Sequence, residues 1–242
     1  MDATHSRLIE HLKAIGPAAV AFSGAVDSRL VVGLAREAYG DQALALTVSA
    51  PQMAAWELDE ARRLARSLGV AHWVVELPLL PAIRDNPTER CYLCKHALFR
   101  ELLSVAALAG IGRLLDGTNR DDLGAHRPGL RALRELGVSS PLADCGLTKA
   151  AVRALSRRLG LPTWDKPADA CLLTRLPHGT RVTEEMLRRI EAAERLLMDL
   201  GYRGVRVRTY GDLARIELPP EQHPRPRPGP SRPTSRVSAT AR

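Results

Sequence analysis

Apolar positions at the start of the chain recur at helical spacing. Leu8, Ile9, Leu12 and Ile15 share one face, and Gly16-Pro17 ends the segment. AAVAF, residues 18–22, is a short unbroken apolar run of the kind a buried parallel strand presents. The polar loop SGAVDS follows, and Arg29 to Tyr39 then reads as a helix closed by Gly40. The alternation continues with a buried strand ALALTVSA (43–50), an amphipathic helix over 54–68 stopped by Gly69, a third strand AHWVVEL and a Pro-containing connection. A long helical stretch opens at ERCYLCK, and RLLDGTN reads as a fourth strand running into a polar loop. Residues 148–159 form a further helix, with Thr148 as its N-cap and Gly160 as its stop.

Strands alternating with helices at this spacing predict an α/β fold, a doubly wound parallel sheet. Such sheets bind ligands outside the carboxyl ends of their strands. SGAVDS, the Ser49 region and DGTN all fall at predicted strand ends. After Lys166-Pro167 the pattern changes. VTEEMLRRIEAAERLLMDL (182–200) is a strong amphipathic helix, and alternation around Val205, Val207, Leu213 and Ile216 predicts two short strands. The expected organisation is therefore a nucleotide-type domain over 1–165, a small α+β domain over 166–218 and a Pro/Arg-rich tail over 219–242. That tail has too few apolar side chains to offset its ordering entropy and is expected to be disordered.

Composition narrows the class. The chain has 242 residues, 45% hydrophobic but only 4% aromatic, so its core must be aliphatic. No run of about 18 uncharged apolar residues predicts a membrane span. The charged N-terminus lacks a signal-peptide core, which makes the cytoplasm the expected address. The net charge is +8, but half of it lies beyond Leu218, where five Arg face Glu221 alone. A nucleic-acid partner is therefore not expected from charge. The four cysteines, Cys91, Cys94, Cys145 and Cys171, point to metal, cluster or redox chemistry or to plain buried thiols, rather than to a disulfide framework.

SGAVDS carries the first chemical expectation. Small residues and hydroxyls let the backbone wrap an anion, and the following helix presents its free N–H groups to it. Asp27 would repel a phosphate unless a cation bridges them, so Mg²⁺ is implied. An ordinary strand-to-helix turn with a Ser cap explains the same hexapeptide. No GK[ST] is present, so the loop is not a Walker A motif.

SGAVDS is similar to the SGGxDS pyrophosphate loop of the N-type ATP pyrophosphatases, with Ala25 where that group usually has Gly. Ala fits if the local φ is negative. ERCYLCK (89–95), DGTNRDD (116–122), HRPG (126–129), SPL (140–142), GLTK (146–149), WDKP (164–167) and ACL (170–172) follow in order. As a set they resemble the ATP-dependent sulfur transferase family LarE, over about Ala18 to Leu218. That family builds thiocarboxylates of the nickel-pincer nucleotide.

The resemblance implies ATP, Mg²⁺ and a pyridinium bis-carboxylate mononucleotide substrate. A carboxylate is adenylated, and a sulfur nucleophile then displaces AMP. It places Ser23, Gly24, Asp27 and Ser28 at the phosphates, with Ser49, Gly117, Thr118, Asn119, Asp122 and Arg127 around the nucleotide and Asp27 reaching Mg²⁺. Cys171 is the implied sulfur residue, its thiolate favoured by nearby Lys166 and Arg175. Some members consume this cysteine. Others hold a [4Fe–4S] cluster on three cysteines, which Cys91, Cys94 and Cys171 match, leaving Cys145 structural. Thr174, Arg175 and Arg206 resemble substrate-phosphate ligands, and Glu194 and Glu217 fall near acidic residues that hold a divalent metal.

The resemblance also implies a homo-oligomer meeting around the C-terminal domain. Family members continue with another helix and strand where this chain runs into its Pro-rich tail, so a truncated or replaced ending is expected. Three other readings fit parts of the sequence. A tRNA-thiolating relative would need a folded RNA-binding module. An amidotransferase-type synthetase leaves CxxC unexplained, and a non-catalytic nucleotide-binding protein would bind ATP without turnover.

Overall fold

The computed structural model describes residues 3–125, 127–162, 164–165 and 170–223. The expectations for His126 and Lys166, and for the tail from 224 onward, lie outside the described residues.

Two compact units emerge. The first comprises Met1–Ala50, Ala55–Ile83 and Glu89–Ala168. Its elements in chain order are α1 (Ala3–Ile15), β1 (Ala19–Ala21), α2 (Val26–Tyr39), β2 (Leu44–Ser49), α3 (Ala55–Ser67), β3 (Ala71–Glu76), α4 (Arg90–Leu108), β4 (Leu114–Leu115), α5 (Arg120–Leu123), α6 (Gly129–Glu135), α7 (Pro141–Asp144) and α8 (Lys149–Arg158). The strands form a parallel sheet in the order β3-β2-β1-β4. β1 and β2 are mainly apolar and almost wholly buried because both faces are covered. β3 is the outer edge, and its Trp73 is 45% exposed. Ser139 extends the opposite edge by a parallel bridge to Leu115.

The order of strands locates the binding crevice. From β1 the chain steps outward to β2 and β3, then returns to β4 on the other flank of β1. Right-handed crossovers put α2 and α3 on one face and α4 on the other. The packing agrees, since α2 lies on β1, α3 on β2 and β3, and α4 across all four strands. The connections leaving β1 and β4 therefore diverge, which opens a crevice at their carboxyl ends. An aliphatic core that includes Leu8, Leu12, Val20, Leu30, Leu115 and Leu155 holds this face rigid.

The second unit gathers Pro51–Ala54, Arg84–Thr88 and the described part of Asp169–Arg242. It contains α9 (Glu184–Asp199) and an antiparallel pair, β5 (Arg206–Tyr210) and β6 (Leu213–Glu217). Two short segments from the first half of the sequence thus belong to it, which local pattern does not reveal. The reason is specific hydrogen bonding. Leu172 N–H donates to the Gln52 carbonyl at 2.9 Å and Val182 N–H to that of Arg84 at 2.7 Å. The buried Asn86 amide donates to the carbonyls of Leu173, Leu176 and Pro177.

Pro219–His223 correct the expected start of the tail. Pro220–Gln222 form a short turn, and the Gln222 amide accepts from Arg203 N–H at 2.6 Å and donates to its carbonyl at 2.7 Å.

Candidate active site

The phosphate loop is built by local conformation. β1 ends at Ala21, and Gly24 turns the chain with φ of 78°, a value that only Gly adopts without strain. Ala25 has φ of −68° and is the N-cap of α2, so the missing second Gly costs no backbone strain. Ser28 Oγ accepts from Ser23 N–H at 3.3 Å, lies 3.2 Å from Ser23 Oγ and donates to the Ala25 carbonyl at 3.2 Å. Val26, Asp27 and Ser28 open α2 with free N–H groups pointing out of the helix start.

The loop after β4 meets this one closely. A Cβ on Gly117 would lie 2.6 Å from Ser28 N. Asn119 caps α5, its side chain accepting from Asp121 N–H at 2.9 Å while Asp122 accepts from Asn119 N–H at 3.1 Å. The Asn119 amide also donates to Asp27 Oδ1 at 3.2 Å. The other Asp27 oxygen is ion-paired with Lys149 at the start of α8. Arg127 pairs with Asp122 at 2.9 Å. Thr118 lies buried beside Asp116, and Ser49 closes β2 at the same end of the sheet. Asp27, Ser28, Gly117, Asn119, Asp122 and Arg127 are thus neighbours, and Ser49 and Thr118 lie at the same end of the sheet.

Several contributors are visible in sequence only as members of motifs. Asp116 is buried and accepts from Thr118 N–H at 3.1 Å and from Ser140 Oγ at 2.6 Å, and Lys95 Nζ sits 3.6 Å away. Lys95 threads past Gly129, where a Cβ would come within 2.9 Å of its stem. Lys149 reads in sequence as an ordinary first-turn residue, yet it reaches Asp27. DGTN and GLTK are the available signals, but which side chains meet is decided by tertiary approach.

Asp27 fits a Mg²⁺ role by the chemistry of its donors. It is a hard carboxylate at the mouth of a phosphate loop, and Mg²⁺ commonly takes one or two protein carboxylates and fills its shell with phosphate oxygens and water. For a cluster the fit is incomplete. Cys91 and Cys94 lie three residues apart near the start of α4, on one face of the helix, and supply two thiols. Among the described residues no three His, Cys, Asp or Glu side chains gather as metal ligands.

In the second unit, Cys171 is half-buried, outside any disulfide, at the head of the short turn Leu172–Arg175. Its carbonyl accepts from Thr174 N–H at 3.0 Å and Thr174 Oγ at 2.8 Å. Two expectations are corrected here. Arg175, expected at a substrate phosphate, is buried and donates to the carbonyls of Ala170 at 2.5 Å and Cys171 at 3.3 Å. Glu194, expected at a metal, is 1% exposed, and both its oxygens are taken by Arg175, at 2.8 and 3.0 Å. Oε1 also accepts from Val207 N–H. A carboxylate buried to this degree and bonded through both oxygens is poorly placed for an external cation.

Glu217 is likewise engaged, by Arg208 at 2.8 Å and Arg215 at 2.6 Å. Burial alone would push its carboxyl up, but these two guanidiniums outweigh burial and hold it below the usual range. Both of these bonds fall on Oε1. Arg206, on β5, is half-buried and makes no side-chain bond among the described residues.

No family model matches the chain. Among curated proteins, the pyridinium-3,5-bisthiocarboxylic acid mononucleotide synthase of Lactiplantibacillus plantarum is 37% identical over 215 residues, covering 88% of this chain and 78% of that protein. The chain belongs to the LarE family. An uncharacterized protein of Synechocystis is 45% identical over 207 residues, 85% of this chain and 77% of its own length. A LarE-family chain should also show weaker likeness to other ATP pyrophosphatases. It does so with the tRNA-specific 2-thiouridylase MnmA of Agrobacterium fabrum, at 29% identity over 203 residues, 66% of this chain and 51% of that one. Among the described residues no helix is long and apolar enough to cross a membrane.

Proposed function

We propose that this LarE-family chain is an ATP-dependent sulfur transferase. It adenylates a carboxylate of a pyridinium dicarboxylate mononucleotide and converts it to a thiocarboxylate. The observation that carries this reading is the meeting of the SGAVDS and DGTN loops at the strand-order reversal, joined through Asp27, Asn119 and Lys149. A triphosphate laid there meets the N–H groups at the start of α2, the Ser23 and Ser28 hydroxyls and the Lys149 ammonium. Asp27 would hold Mg²⁺, which when bound would supply charge neutralisation to the phosphates.

The substrate carboxylate attacks the α-phosphate and pyrophosphate leaves. Gly117, Thr118, Asn119, Asp122 and Arg127 border the nucleotide, with Ser49 beside them. The preorganised donors stabilise charge as it develops on the phosphate oxygens. The Cys171 thiolate then attacks the activated carbonyl and AMP departs. Loss of the Cys171 Cα proton with cleavage of its Cβ–S bond leaves sulfur on the product and dehydroalanine in the chain. Arg206, which has no side-chain partner among the described residues, is the substrate-phosphate ligand that remains open in the second unit, and Thr174 and Arg175 shape the turn that presents Cys171.

A second reading of the sulfur source rests on the Cys91–Cys94 spacing. In it these two thiols and Cys171 hold a [4Fe–4S] cluster and the chain is not consumed. Four cysteines outside any disulfide and ATP use agree with a cytoplasmic location, and a homo-oligomer is expected, measurable by light scattering.

The test is anaerobic incubation of the purified chain with ATP and the precursor, followed by mass spectrometry. The expected result is AMP, pyrophosphate and a thiocarboxylate whose formation requires ATP. A loss of about 34 Da from the chain, one H₂S, marks consumption of Cys171, whereas stoichiometric iron and sulfide with unchanged mass marks the cluster. ATP binding without turnover, or no thiocarboxylate, refutes the proposal.

A further inference from the structure

Arg29, in the first turn of α2, is the largest entirely buried side chain among the described residues, at 0% exposure. It lies directly beneath the phosphate loop. Its Nη2 donates to the Gly24 carbonyl at 2.6 Å and stands 3.4 Å from Glu60 Oε1 on α3. Its Nε and Nη1 are buried and have no partner among the described residues. Burial works against its charge, and Glu60 only partly offsets this. Two orphaned nitrogens, with three N–H groups between them, make Arg29 a poor stabiliser in an apolar interior, because an apolar side chain of similar volume would avoid their desolvation. Its contribution must be sought in the one strong bond it makes.

That bond controls a peptide orientation. In a planar trans peptide the C=O and the next N–H point in opposite directions. Drawing the Gly24 carbonyl inward therefore turns the Ala25 N–H outward, toward the mouth of the loop. There it has only a long contact, 3.4 Å, to Ser23 Oγ, which leaves it available to an anion. Gly24 sits at φ of 78° without a Cβ, so rotation of the Gly24–Ala25 peptide meets little steric resistance. A rotated peptide would present a carbonyl oxygen to the triphosphate and repel it. We propose that Arg29 is a positioning residue of the phosphate loop, fixing the Gly24–Ala25 peptide so that the Ala25 N–H is aimed at bound triphosphate. Glu60 holds the guanidinium from the neighbouring helix. The inference rests on the ATP reading above and adds to it a residue outside the hexapeptide.

The test uses the full chain with Arg29→Met and Arg29→Lys, measuring thermal unfolding, calorimetric affinity for ATP and for AMP, and hydrogen exchange at the Ala25 amide. Arg29→Met is expected to melt at or above the wild-type temperature, since the orphaned donors are gone. It should bind ATP roughly tenfold more weakly, the loss of about one well-placed donor. AMP, which lacks the β- and γ-phosphates, should change by less than about twofold if the loop reads those groups. Arg29→Lys keeps one donor for the Gly24 carbonyl, so it should recover part of the ATP affinity and decides the matter should the Met variant fail to fold. Altered exchange at Ala25 without ligand is the readout independent of ATP.

Unchanged ATP affinity in folded Arg29→Met overturns the proposal. So does equal weakening of ATP and AMP alongside a lower melting temperature, because a general packing role would produce that. A wild-type chain that binds no ATP overturns the functional reading and this inference with it, whereas normal wild-type binding with no variant effect overturns the inference alone.

Discussion

The phosphate loop and the Cys171 turn each present a reactive group on a short stretch between regular elements, but different forces shape them. Around the phosphate loop the geometry is mainly backbone: a left-handed Gly24, a helix start and hydroxyls bonded to nearby main chain. Its ion pair, Asp27 with Lys149, is partly exposed, at 16% and 29% for the two side chains. Such a pair is cheap to rearrange, which suits residues that must re-partner when phosphate arrives. Around Cys171 the turn is tied to a sealed pair, Arg175 with Glu194, at 5% and 1%. Breaking it would leave a charge buried alone. The first region is organised to exchange partners, and the second to hold one thiol-bearing turn still.

Removing the sealed pair is the strongest way to break this comparison. Glu194→Ala leaves the Arg175 guanidinium and the Val207 N–H without their acceptor. The expected loss of stability is about 3–5 kcal/mol, read as a fall in denaturant midpoint. If Glu194 were instead a metal ligand, added Mg²⁺ or Mn²⁺ would stabilise the wild type and not the variant; no such difference is expected.

Gly117→Ala tests the other region. The new Cβ would meet main chain, Ser28 N, at 2.6 Å, so the backbone of one loop must move. A cost of about 1–3 kcal/mol is expected from the overpacking. ATP affinity should drop more than about tenfold, because the donors at the start of α2 are displaced together. Comparable ATP binding in the variant would mean that the two loops do not jointly hold the nucleotide.

These two substitutions also mark what the sequence can convey. Strand, Gly-bearing turn and helix lie in consecutive residues from Ala19 to Tyr39, so periodicity and loop composition suffice to read them. That the sheet is parallel follows from the βαβ alternation, though its strand order does not, and Thr148 caps α8 by accepting from Ala151 N–H at 3.2 Å, as its place before an apolar period suggests. The Arg175–Glu194 pair spans 19 residues and two elements of different type. No local pattern separates a buried Glu on an amphipathic helix from a solvated one, and α9 offers both. The same holds for Arg29, whose burial beneath Gly24 depends on α3 closing over it. Helices α5 to α7 run only four to seven residues, too short to display an apolar period, and of the three only α5 has a side-chain cap, so the sequence shows them only as polar loop motifs.

A smaller effect separates the regions by pH. His72 on β3 contacts Thr47 Oγ at 2.7 Å, and Thr47 donates its own proton to the Phe22 carbonyl at 2.6 Å, just before the phosphate loop. His72 therefore donates from Nε2. Burial, aided by Arg62 and Arg66, lowers its pKa below the usual 6.5. The unfolded chain takes up the proton first, so stability is full above about pH 6.5 and declines as pH falls toward the lowered folded value. Glu217 is also held low in the second unit, but its contribution persists until the pH drops below the ordinary carboxylate range. Between about pH 7 and 5.5, melting should therefore fall in the wild type and fall less in His72→Gln, with Glu217→Gln leaving that slope unchanged.

The smallest expected effect is at Ala25. If the loop's affinity depended on a second glycine, Ala25→Gly would tighten ATP binding. The φ of −68° argues otherwise, because Ala already occupies that conformation without strain. Two modest terms oppose each other in stability. Gly is the better N-cap, but it adds conformational freedom to the unfolded chain, worth about 0.4–1 kcal/mol. The net change should lie within about 0.5 kcal/mol, and ATP affinity within about twofold. A large gain in affinity would show that the loop must pass through a left-handed conformation at residue 25 when it grips the triphosphate. Aiming the Ala25 N–H would then require more than the inward pull on the Gly24 carbonyl.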